Sequence, residues 1–165
     1  MKILVAAASK HGSTAEIAAA IARNLTQAGH DVDVRPPEQV ADLEGVDVVV
    51  LGSAVYAGHW LKEARDFTAR LAPELAVRPV WLFSSGPIGD PLTPAEDAID
   101  AAHALEVTGA RDHRTFAGRI DKEKLSFGER ALVRALRAAV GDFRDWDEIA
   151  AWSRSIEINL AATES

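Results

Sequence analysis

Cysteine is absent from all 165 residues. That excludes disulfides, thiolate metal centres, iron–sulfur clusters and cysteine nucleophiles, and no metal site is expected. No apolar run approaches the ~20 residues needed to span a bilayer. A leader-like layout is lacking too, since Met1-Lys2 runs straight into a short apolar stretch. A cytoplasmic location is the expectation, with membrane contact peripheral at most. Positive charge is also short. Lysine and arginine total 18 against 25 aspartates and glutamates, and the net charge of −7 argues against nucleic acid as partner. Aromatics make up only 6% of the chain, with a single tyrosine, so the places where they gather are informative.

What is present alternates between two periods. Ile3-Leu4-Val5-Ala6-Ala7 is a continuous apolar run, as expected of a strand buried on both faces. Ile17, Ile21 and Leu25 predict a helix from Thr14 to Ala28, stopped at Gly29. Asp31 to Arg35 alternates like an edge strand, whereas Val46 to Leu51 reads as a central one. A second helix is expected over Trp60 to Leu71 and a fourth strand over Pro79 to Phe83. Thr93-Pro94-Ala95-Glu96 opens another helix, and Arg114 to Ala117 is a short fifth strand. Ser126 begins a helix striped by Leu132, Val133, Leu136 and Val140. Asp145-Trp146-Asp147-Glu148 begins the last, which runs toward Leu160. With no repeat or long linker, the reading is one α/β domain over residues 1–165, a parallel sheet with helices on both faces.

In such sheets ligands bind beyond the C-terminal strand ends, where strand order reverses. Three strand ends carry unusual segments. Ser9-Lys10-His11-Gly12-Ser13-Thr14 lies between a buried strand and a helix start. Free backbone N–H groups, the macrodipole and hydroxyls make that turn an anion site, unless the hydroxyls serve only as N-caps. The second segment is Gly52-Ser53-Ala54-Val55-Tyr56-Ala57-Gly58-His59-Trp60. Tyr56 and Trp60 are there either as buried anchors of the next helix or to meet a planar ligand. The third is Ser84-Ser85-Gly86-Pro87-Ile88-Gly89-Asp90-Pro91, whose small residues and rigid turns leave backbone groups free for a ligand edge.

These segments, in this order and spacing, resemble those of the flavodoxin-like flavoproteins over essentially the whole chain. The resemblance implies a three-layer α/β/α fold with a five-stranded parallel sheet in the order 2-1-3-4-5, and flavin mononucleotide (FMN) as cofactor. It places the phosphate on Ser9, Lys10, His11, Gly12, Ser13 and Thr14, with His11 standing where flavodoxins usually carry a hydroxyl. The flavin ring falls between Ser53, Ala54, Val55, Tyr56, Ala57, Gly58 and Trp60 on one side and Ser84, Ser85, Gly86, Pro87 and Gly89 on the other.

The chain is more closely similar to the group that contains menaquinone-dependent protoporphyrinogen oxidase. The Gly52-to-His59 segment, Phe116-Ala117-Gly118-Arg119, and Asp145-Trp146-Asp147 carry that likeness. An extra helical segment at about 120–143, with Arg130, Arg134 and Arg137 on one face, separates the last two. The implied activity is FMN-dependent oxidoreduction toward a quinone or porphyrinogen. The alternatives are an electron carrier docking to a redox protein, and a module without flavin. His59 is the candidate catalytic residue, as a proton donor beside the ring, or else it merely caps the following helix. A homodimer is compatible with all three. His30, His103 and His113 are read as lying away from the strand ends.

Overall fold

The computed structural model describes residues 1–10, 12–56, 59–86, 99–116, 119–120, 141–142 and 144–164. Strand β1 is Lys2–Ala8, followed by helix α1, Ser13–Gln27, and strand β2, Asp31–Arg35. Next come β3, Val48–Tyr56, the short β4, His59–Trp60, and helix α2, Lys62–Ala76. β5 is Val80–Ser85, α3 Ile99–Thr108 and β6 Asp112–Phe116. β7, Arg119–Ile120, pairs with β8, Gly141–Asp142, and α4 spans Trp146–Glu164.

The five long strands are parallel in the order β2-β1-β3-β5-β6. Counted without the short β4, this is the expected order 2-1-3-4-5. Two-sided burial explains the unbroken apolar runs. Ile3 and Val5 face a core with α1 and α4, while Leu4, Ala6 and Ala8 face a second core with α2 and α3. Slipping β1 by one residue would exchange the two sets, so the pattern itself pins the register. α1 buries Ile17, Ala18, Ile21 and Leu25, and Gly29 follows it at a φ of 101° that favours glycine.

Three expectations change. β3 does not stop at Leu51 but continues to Tyr56. Gly52 looked like a turn residue, yet it lies inside the strand beneath the Phe83 ring, where a Cβ would have no room. Trp60 is not helical: it pairs antiparallel with Val55, and α2 starts at Lys62. Gly52 to Tyr56 is therefore strand, and His59-Trp60 pairs back against its end. α2 also outlasts Leu71, which bends away from helical geometry at φ −109° and ψ 15° ahead of Pro73. Proline inside a helix removes a hydrogen bond to the preceding turn and crowds its carbonyl, which kinks the helix there, but burial of Leu75 carries it to Ala76. The helix starts at Thr93 and Ser126, and most of the extra segment, lie outside the described residues.

Candidate functional site

Sheet register builds the site. Ala8 of β1 aligns with Ser53 of β3, Ser53 with Ser84 of β5, and Ser84 with Thr115 of β6. All three segments singled out from the sequence therefore leave or close the sheet along one edge.

At the first, Gly12 stands ahead of α1 in the left-handed region, φ 90°, and no side chain caps the helix. The Gly12 N–H donates to Ser9 Oγ at 3.0 Å, and the first turn closes with Glu16 N–H to the Gly12 carbonyl at 3.1 Å. The N–H groups of Ser13, Thr14 and Ala15 are left without intrahelical acceptors. Thr14 is buried at 1% exposure, and among the described residues no hydrogen bond reaches its hydroxyl. Ser13 is half-buried and Lys10 exposed, while His11 lies outside the described residues. The hydroxyls are thus not spent on capping.

The second segment is fixed from three sides. Ser53, fully buried, accepts the Leu61 N–H on its Oγ at 3.0 Å and donates to the Ala54 carbonyl at 2.9 Å. Trp60 is 2% exposed and its Nε1–H donates to Ser84 Oγ at 2.9 Å, so its indole anchors the β3–β4 hairpin from below. Asp100, in the first turn of α3, accepts the Trp60 N–H at 2.9 Å and lies 3.1 Å from His59 Nδ1, both on Oδ2. His59 itself is exposed. Ala54 and Val55 are half-buried, the Tyr56 backbone pairs with His59, and Ala57 and Gly58 lie outside the described residues.

At the third, Ser84 and Ser85 are buried. Ser84 Oγ lies 2.8 Å from His113 Nε2, which brings that histidine of β6 up to the strand end. Gly86, φ 90°, donates its N–H to the Phe116 carbonyl at 3.0 Å. Pro87 and Gly89 lie outside the described residues.

Asp100 and Arg144 escaped the sequence reading, and His113, read there as lying away from the strand ends, instead reaches Ser84 near the end of β5 through its Nε2. Arg144 reaches the first turn of α1, pairing with Glu16. Each is more than 25 residues from the group it meets. No local pattern signals such a contact. Among the described residues no group of three or more metal-ligating side chains assembles.

Residues 4–147 match the flavodoxin domain family. The chain belongs to that family. Among curated proteins it is similar to protoporphyrinogen IX dehydrogenase (quinone) of Escherichia coli strain K12, at 22% identity, with 94% of each chain covered. A flavodoxin from the domain Archaea superposes with a TM-score of 0.60 at 18% identity, over 83% of this chain and 99% of that one. The two-electron reduced Megasphaera elsdenii flavodoxin gives 0.58 at 25% identity, over 70% and 85%. FMN is the cofactor this flavodoxin membership points to, and the residues present fit it. An uncapped helix start, free N–H groups and the unpartnered Thr14 hydroxyl are donors for a phosphate. As a flavodoxin-family protein the chain has a redox function.

Proposed function

We propose that the chain is an FMN-dependent oxidoreductase of the protoporphyrinogen oxidase type. It would move electrons or hydride between a reduced substrate and a quinone-like acceptor in the cytoplasm. Ser9, Lys10, His11, Gly12, Ser13 and Thr14 hold the phosphate in this reading. The hairpin Ser53–Trp60 and the Ser84–Gly89 segment flank the ring, with Trp60, Ser53 and Ser84 acting from beneath. The whole chain forms one domain, its extra segment based on the β7–β8 pair. Full-length similarity to a quinone-linked dehydrogenase supports this reading.

The observation that carries substrate turnover is the His59–Asp100 pair. Bound flavin supplies the two-electron chemistry. Asp100 Oδ2 holds the His59 ring through Nδ1, which leaves Nε2 as the ring nitrogen open to a substrate. From that atom His59 can give one of the two protons that a quinone takes up as it becomes a quinol, the other proton and both electrons arriving as the hydride that bound flavin would supply. An electron carrier that only docks to a redox protein is the second reading, favoured by the net charge of −7.

The two separate on acceptors. Reduced protein is mixed with a soluble quinone and with ferricyanide, which takes one electron and no proton. His59→Gln and Asp100→Asn are expected to slow quinone reduction by roughly 10- to 100-fold, within the range of general acid catalysis, and to leave ferricyanide reduction nearly unchanged. Equal losses with both acceptors, or no quinone reduction by the unaltered protein, would reject turnover and leave the carrier.

A further inference from the structure

Glu16 is an awkward neighbour for a phosphate. In an empty helix a carboxylate in the first turn complements the macrodipole. Once a dianion occupies the same N-terminus, that carboxylate repels it, and a chain of net charge −7 favours no anion overall. An offset comes from the far end of the chain. Arg144 lies two residues beyond β8, which closes the base of the extra segment. Its guanidinium pairs with the Glu16 carboxylate, 128 residues away, and Nη1 lies 3.5 Å from the Ser13 carbonyl oxygen. Cζ sits 4.7 Å from the centre of the Trp146 ring, and the Arg144 side chain is only 5% exposed while that of Glu16 is 53% exposed.

A surface ion pair of ordinary design has two mobile, solvated partners and contributes little. Here the cation is the buried member, set over an indole, and the carboxylate is the exposed one. We infer that Arg144 is a specificity-determining residue for the phosphate of FMN: it cancels the Glu16 charge and so makes the α1 N-terminus acceptable to a phosphate monoester. The inference rests on the FMN reading of that turn. The ligand class it selects is the phosphorylated flavin over its dephosphorylated counterpart, riboflavin.

The test titrates full-length protein, freed of flavin, with FMN and with riboflavin, following flavin fluorescence. Riboflavin shares the ring and ribityl chain but carries no phosphate, so it reports any structural damage. Arg144→Gln is expected to weaken FMN binding by about tenfold and riboflavin by less than about twofold, because only a phosphate senses the loss of the guanidinium beside Glu16. Glu16→Gln removes the repelling carboxylate and is expected to tighten FMN by about threefold with riboflavin unmoved. The double variant returns FMN to within about threefold of the unaltered protein. Equal weakening of both flavins in Arg144→Gln, or a double variant no better than it, overturns the inference. If Arg144→Gln does not fold, the exposed Glu16→Gln still decides: an unchanged FMN-to-riboflavin ratio overturns it. Unaltered protein that binds neither flavin rejects the FMN reading itself, a result distinct from all of these.

Discussion

A methyl group added at residue 52 would lie 2.1 Å from Phe83 Cζ. The ring has little room to retreat, because it packs edge-on to Trp152 at 6.0 Å and against Phe116 at 6.2 Å between centroids. Gly52→Ala is therefore expected to destabilise the fold by about 3 kcal/mol, toward the upper end of overpacking effects. Urea unfolding measures it. Adding Phe83→Leu should recover part of the loss, since contacting residues are not additive. The same glycine shows why single residues were harder to read than strands. Glycine beside serine in a sequence signals a turn, and only the neighbouring strand reveals that the missing Cβ makes room for a ring. Trp60 carries the same lesson, since burial and its bond to Ser84 set its place rather than its nearness to a helix. Asp100 could not be seen beside His59 because α3 delivers it from 41 residues away.

Elements whose signals are local came out close to expectation. The start of α4 is the clearest, because the acceptor and its target lie within one turn. Asp145 Oδ1 accepts the Glu148 N–H at 3.1 Å, and the Asp145 carbonyl receives the Ile149 N–H at 3.1 Å. Asp145→Ala should cost about 1 kcal/mol in chemical denaturation, the usual worth of an N-cap. An effect near zero would mean that burial of Ile149, Trp152, Ile156 and Leu160 alone holds the helix. α1 offers the contrast. Its start looked equally rich in caps, yet no side chain caps it. α1 leaves its first N–H groups without a side-chain acceptor, at the end of the sheet where ligands bind in such folds. In α2 the helix expected up to Leu71 does bury Ala64, Phe67, Thr68 and Leu71, but it runs on past Pro73 because Leu75 is buried too.

At the scale of the molecule, a parallel sheet with helices on both faces was legible because each unbroken apolar run demands two covered faces, whereas the strand order followed from the resemblance to flavodoxin-like proteins and not from the runs themselves. That order brings the three segments to one edge, and a ligand bridging them ties β1, β3 and β5 together. Such a ligand binds the folded chain and not the unfolded one, so it raises stability by mass action. FMN at a hundred times its dissociation constant should add about 2.7 kcal/mol. For a domain of this size that is a rise in melting temperature of roughly 5–10 °C. Scanning calorimetry across a series of FMN concentrations should show the midpoint climbing with each tenfold step. Riboflavin at equal concentration should shift it less, because it leaves the Thr14 hydroxyl and the first N–H groups of α1 unanswered. A rise that is the same for both flavins would mean that the ring segments hold the cofactor and the phosphate turn contributes nothing. A midpoint that FMN does not move would remove flavin from the account of this fold altogether.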